Sequence, residues 1–156
     1  MKGINKILPG LLVILVIVQF VHPAHNKSGQ DMPNDISKVV DMPNDVQGIL
    51  KKACYDCHSN NTNYPWYTNV QPVHWYMNYH IQSGKKELNF NEFGSYKRRR
   101  QQSKLRAIEN SLKENKMPLF SYTLIHKNAI LSDAEKLKII NWVQNSKDSL
   151  TKRNLN

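Results

Sequence analysis

The chain has 156 residues, enough for one domain with a modest core and too few for two ordinary ones. Its 22 Lys and Arg against 12 Asp and Glu leave a net charge of +10. Such a balance raises nucleic acid as a partner, but the apolar start of the chain points it out of the cytoplasm. There an acidic redox partner or an anionic membrane surface is the expected counterpart, and nucleic acid is not.

Residues 1–21 carry only two charges, Lys2 and Lys6, followed by GLLVILVIVQFV from Gly10 to Val21. Counted from Ile4, about 18 residues of helix would reach roughly 27 Å, a slightly short crossing of a hydrocarbon core. A cleaved signal peptide shares the basic start and apolar run, but His22-Pro23-Ala24-His25 lacks a small-x-small cut site. The reading is therefore an uncleaved transmembrane anchor, with cleavage and release as the alternative. Lys2 and Lys6 belong on the cytoplasmic side, so the remainder faces the periplasm of a bacterial inner membrane as a single-pass protein. No Cys follows the apolar run, so a lipoprotein anchor is not indicated.

Residues 22–44 are polar and turn-rich and hold DMPND twice, at Asp31–Asp35 and Asp41–Asp45. They read as a spacer. A domain over 45–147 follows. Asp45 stands where an N-cap is wanted, and Val46, Ile49, Leu50, Ala53, Cys54 and Cys57 share one helical face. Residues 59–72 read as a loop, and Val73 to Gln82 as a short helix with Gly84 as its C-cap residue. Leu88, Phe90 and Phe93 need a core to pack into. Tyr96 to Lys116 reads as a helix with a stripe at Leu105, Ile108 and Leu112, which Pro118 prevents from continuing. After a loop over 117–131, Ser132-Asp133-Ala134-Glu135 has capping-box spacing. The last helix presents Leu137, Ile140 and Val143, widened by Ile139 and Trp142. Residues 148–156 read as a frayed polar tail. No segment alternates like a strand, so the fold class is all-α.

The chain's two cysteines stand in KKACYDCHSNN, with His58 directly after Cys57. C-x-x-C-H is the attachment sequence of c-type haem. Two thiols one helical turn apart match the two vinyl groups of the porphyrin, and the next His offers a nitrogen to the iron. Other chemistries compete for the same residues. A zinc site needs about four ligands, which Cys54 and Cys57 with His74 and His80 would supply. A redox dithiol needs a strand before the motif and a βαβ context, and neither is present.

A second axial ligand is available in NKMPLFSY, where Pro118 stiffens the backbone at Met117. A core methionine filling a gap is the competing role. His80, then His74, and His126 are rivals for the same position. Tyr64, Trp66, Tyr67, Trp75, Tyr76 and Tyr79 would wall a porphyrin or fill a small core. A carbonyl beside Pro65 or Pro72 is expected to accept the second imidazole N–H of His58. Lys97-Arg98-Arg99-Arg100 reads as a solvated helix start or a docking patch for an acidic partner.

Together, CYDCHSNNTNYPWYTNVQPVHW, HIQSGKKELNFNEF and KMPLFSYTLIHKNAILSDAEKLKIINWV resemble the bacterial haem-binding domain family over about residues 46–145. In layout the chain is similar to small class I cytochromes c. The resemblance implies one covalent haem c on Cys54 and Cys57, His58 as the proximal iron ligand and Met117 as the distal one. It also implies that the first and last helices of the domain pack together, with Leu50 near Trp142. The expected function is one-electron transfer, not catalysis, since a six-coordinate iron leaves no open position. A haem-based sensor or small-ligand binder and a zinc-stabilised interaction domain are the alternatives.

Overall fold

The computed structural model describes residues 4–29 and 32–152. Lys2, the side chain of Lys6, Asp31 of the first DMPND and residues 153–156 lie outside the described residues. The helices are α1 (Ile4–Val18), α2 (Asn44–Ala53), α3 (Tyr55–His58), α4 (Val73–Glu87), α5 (Arg98–Lys113), α6 (Phe120–Ile125) and α7 (Asp133–Lys152), with four short 3-10 turns. Among the described residues there is no strand, only an isolated antiparallel bridge between Lys27 and Asn61. The all-α expectation holds.

The expected transmembrane helix finds no support. Among the described residues no helix is long and apolar enough to cross a membrane. α1 has 15 residues, which at 1.5 Å each is roughly 22 Å. Its apolar side chains, Leu8, Leu12 and Ile17 among them, point into open space. It stops because the chain turns onto the domain. The Gln19 side chain accepts from the Gln71 backbone N–H (2.9 Å), and the Val21 carbonyl accepts from Trp75 Nε1 (2.9 Å).

Residues 22–44 do not behave as a free spacer. Asn26 is buried; its side-chain amide donates to the Ser59 carbonyl and the Thr62 hydroxyl, and its backbone N–H donates to the Tyr64 hydroxyl. Ile36 and Val40 join the core. The polar composition misleads here because the few apolar residues Ile36 and Val40 face inward. Asp35 accepts from the Ser37 N–H (2.9 Å), and its other oxygen accepts from the Asn91 amide (2.7 Å).

The predicted face of α2 is buried through Val46, Ile49, Leu50 and Ala53. The helix starts earlier than expected, however. Pro43 takes the N-cap position and Asp45 lies in the first turn, where it accepts from Val46 N–H and from Lys138 on α7 (2.8 Å). α2 also ends earlier. Cys54 breaks it with φ −127° and ψ −38°, and the one-turn helix α3 follows. The two cysteines therefore do not share one continuous helix.

Three further boundaries differ. α4 runs through Gly84 to Glu87, so Gly84 is not a C-cap residue. A Cβ there would lie 2.6 Å from the Cys57 carbonyl oxygen, and its absence lets α4 lie against α3. α5 starts at Arg98 and stops at Lys113, not Lys116, because Asn115 adopts φ +53° and turns the chain. α7 carries the predicted capping box, with Ser132 and Glu135 bonded reciprocally (2.9 and 3.3 Å). It continues to Lys152, because Leu150 is fully buried; that part of the expected tail is not frayed. Leu137, placed on the apolar face, is exposed.

α7 packs on α5 and α2, and α3 packs on α4. Leu50 and Trp142 both belong to the core. The Trp142 indole N–H donates to the Asp41 carbonyl (2.8 Å), which seats the start of α2 on α7. Glu109 of α5 is buried and accepts from Lys147 (2.8 Å) and Gln144 (3.0 Å) of α7.

Candidate functional site

The motif sits on the turn where α2 gives way to α3. Cys54 caps α3, and Cys57 and His58 lie within it. All three are half-buried. Burial pushes the Cys54 thiol up to about 12 and the Cys57 thiol up to about 11. A redox dithiol requires the opposite, a thiol lowered toward neutrality. Both side chains are neutral S–H groups at physiological pH.

His58 is oriented by a carbonyl that has left its helix. α4 ends at Glu87, and Leu88 is extended at φ −149°. The Leu88 N–H still donates to Gly84 (2.8 Å), but its own carbonyl is free of the helical ladder. It accepts from His58 Nδ1 at 2.9 Å. A carbonyl can only accept, so Nδ1 carries the proton and Nε2 is left with its lone pair. Burial lowers the His58 pKa, opposed by the Leu88 hydrogen bond, so the imidazole is neutral. The expectation of a carbonyl beside Pro65 or Pro72 is thus corrected to Leu88, for which the sequence carries no signal.

Two adjoining clefts open on this turn. One is walled by Leu50, Ala53, Phe90, Ile108, Leu112 and Ile139. The other is walled by Cys57, His80, Gly84, Leu119 and Tyr122. Cys54, His58, Met117 and Pro118 line both. The structure therefore brings together Cys54, Cys57, His58 and Met117, the residues singled out from sequence.

The rival histidines separate. His80 lines the second cleft with His58. His126 meets the Tyr67 hydroxyl through Nε2 (2.6 Å) and stacks on Tyr122 at 4.1 Å, outside both clefts. His74 is buried at the start of α4, its Nδ1 3.4 Å from that of His22 and its ring stacked on His25 at 5.1 Å. Its Nε2 has no hydrogen-bond partner. Among the described residues no three of His, Cys, Asp and Glu are grouped to hold a metal ion, so the four-ligand zinc set is not assembled.

The expected aromatic wall is divided. Tyr67 and Tyr76 line a third groove that continues past Cys57, whereas Trp66 and Tyr79 are largely exposed. Phe90, placed by the Asn-Phe segment, faces the motif itself, stacking on Tyr55 at 4.9 Å. Of the basic run, Lys97 caps α5 and the Arg100 guanidinium lies over the Tyr96 ring at 4.2 Å. Two site residues escaped sequence reasoning. Asp56 and Tyr122 are hydrogen-bonded at 2.6 Å across the second cleft.

A family model described as a haem-binding domain matches residues 13–145. No curated protein and no solved structure matches the chain.

Proposed function

The chain belongs to the haem-binding domain family, and from that premise we propose that it carries one haem c and passes single electrons. The observation that supports this best is the Leu88 hydrogen bond to His58 Nδ1, which leaves Nε2 of a neutral imidazole as the ligand atom. The residues fit the group. Two neutral thiols, apolar walls and a thioether at Met117 line the same pair of clefts. A bound haem would supply the one-electron iron couple.

Each thiol would add its S–H across a vinyl group, so attachment at Cys54 and Cys57 needs no oxidant and expels no leaving group. His58 would hold the iron from the side of α3, with Leu88 fixing its ring. Met117 would also hold it, and its thioether would favour the reduced state. Leu50, Ile108, Leu112 and Ile139 would exclude water. The exposed apolar surface of α1 would attach the chain to the bacterial inner membrane, with the domain in the periplasm, where haem c is joined to protein. Lys97 and the arginines after it would attract an acidic redox partner.

The test is production alongside a cytochrome c maturation system, followed by a pyridine haemochrome spectrum of the denatured protein. One covalently retained haem is expected, and none in the Cys54→Ser, Cys57→Ser double variant. Zinc without iron would replace this reading with the interaction domain. Co-flotation with vesicles, lost when Leu11 and Ile14 are changed to Lys, tests membrane attachment.

A second reading, a haem-based sensor, draws on one observation. α6, which follows Met117, has no buried residue, so that segment is lightly packed. Rapid carbon monoxide binding by the reduced wild type would favour it.

A further inference from the structure

We infer that Asp56, the second of the two residues between the cysteines, is the positioning residue for the segment that carries Met117. The inference rests on the reading of Met117 as an iron ligand.

Residues 117–126 pass over the mouth of the site with little to hold them. None of the residues of α6 is buried, and Phe120, Leu124 and Ile125 are each more than half exposed. Packing holds the segment only in part, through half-buried Tyr122 against the core cluster, so its hydrogen bonds weigh more in setting its position. Among the described residues, only two side-chain hydrogen bonds tie it to another element. One runs from the Tyr122 hydroxyl to Asp56 Oδ2 at 2.6 Å. The other joins His126 to Tyr67 at 2.6 Å, and Tyr122 stacks on His126, so the two ties share one ring stack.

Asp56 is itself rigidly held. Its Oδ1 accepts from Asn63 N–H (2.9 Å), and its carbonyl accepts from the Thr62 hydroxyl (2.6 Å). Its position is set further by the one-turn helix α3, which also holds Cys57 and His58. A carboxylate accepting at this distance makes a strong, charge-assisted bond. Tyr122 lies five residues after Met117, and its N–H donates to the Leu119 carbonyl (3.0 Å), so the intervening chain is short and turned. Fixing Tyr122 therefore fixes where Met117 enters the clefts. The turn that presents the proximal ligand also carries the anchor for the distal one.

The experiment compares holoproteins at neutral pH: wild type, Tyr122→Phe, Asp56→Ala, Asp56→Asn, and Tyr79→Phe as an exposed tyrosine control. Two signals are read, after a pyridine haemochrome assay shows equal haem content. One is the weak far-red band of ferric haem with a thioether ligand, and the other is the rate of carbon monoxide binding to the ferrous form. Tyr122→Phe and Asp56→Ala should weaken the band and speed carbon monoxide binding by about tenfold, the factor for losing one charge-assisted hydrogen bond. Asp56→Asn keeps an acceptor oxygen and should lie between wild type and Asp56→Ala. Tyr79→Phe should match wild type.

If Tyr122→Phe and Asp56→Ala keep the wild-type band and rate, the inference is wrong while the Met117 reading stands. If wild type lacks the band, or Met117→Ala keeps it, the Met117 reading fails and the inference falls with it. Should Tyr122→Phe not accumulate as holoprotein, the order of the two Asp56 variants decides alone, and equal rates in both would refute the intermediate role of the acceptor oxygen.

Discussion

Gly84 of α4 and Cys57 of α3 approach so closely that a single added carbon on the glycine would stand 2.6 Å from the cysteine carbonyl oxygen and 3.3 Å from its Cβ. The atom struck first is backbone, which cannot swing aside.

Gly84→Ala is therefore expected to destabilise the domain despite the better helix propensity of alanine. Propensity favours alanine by about 1 kcal/mol inside a helix. Overpacking against fixed atoms costs about 1–3 kcal/mol or more. A net loss of about 1–2 kcal/mol in denaturant unfolding, with reduced covalent haem, is the expected outcome. An unchanged or raised midpoint would show that α3 and α4 can separate freely. Gly48 offers the contrast, since a Cβ there meets nothing within 4 Å, and Gly48→Ala should stabilise.

Glu109 makes stability depend on acid. Its hydrogen bonds to Lys113, Lys147 and Gln144 hold the carboxyl at about 2, below the ordinary 4.5. The folded state binds its proton less readily than the unfolded chain. The contribution is complete above about pH 4.5 and is lost as pH falls from there toward 2. Glu109→Gln should flatten the stability–pH curve in that interval and leave its slope near neutrality alone. Urea midpoints at closely spaced pH values measure this, and an unchanged acid slope would count against it.

The buried imidazole of His74, at the start of α4, acts at a higher pH. Burial, then the neighbouring His25 and His22, lowers the His74 pKa from its ordinary 6.5. Here too the unfolded chain takes the proton more readily, so stability is complete above about 6.5 and declines as pH falls below it. Amide protection in residues 19–29, after correction for the intrinsic pH dependence of exchange, should fall between pH 7 and 5.5. His74→Phe, which cannot charge, should remove the dependence. Equal protection at both pH values in wild type would contradict the proposed link.

Leu150 tests the far end of the chain. It is fully buried on α7 within the core cluster. Leu150→Ala should cost about 2–4 kcal/mol, whereas alanine at exposed Leu137 should cost well under 1 kcal/mol. Similar unfolding midpoints for the two would mean that α7 is not seated beyond Lys147.

What could be read from the sequence was what depends on local chemistry. The Ser132–Glu135 box, the apolar face of α2 and the grouping of Cys54, Cys57, His58 and Met117 follow from residue type and spacing. What could not be read depends on approach between distant segments. Gly84 reads as a helix stop because its neighbour Cys57 is invisible in one dimension. The Leu88 carbonyl belongs to the backbone, which every residue has, so no side chain marks it. Asp56 and Tyr122 are ordinary residues 66 positions apart until the fold joins them. Residues 22–44 resemble a spacer because part of their burial is satisfied by hydrogen bonds, as at Asn26, and the apolar part rests on a few scattered residues such as Ile36 and Val40.

Asn26 also bears on how the domain meets other molecules. A domain on a slack leash can swing out and search a wide shell for partners. Here the leash is taken in, since Gln19 is bonded to Gln71 just before α4, Val21 to α4 and Asn26 to the loop after α3. Wherever α1 is held, the clefts beside His58 stand at a set height and face a set way. On the membrane-held reading proposed above, a redox partner would have to reach a fixed post, and lengthening the chain between Phe20 and Asn26 would change the rate of meeting it without altering the site.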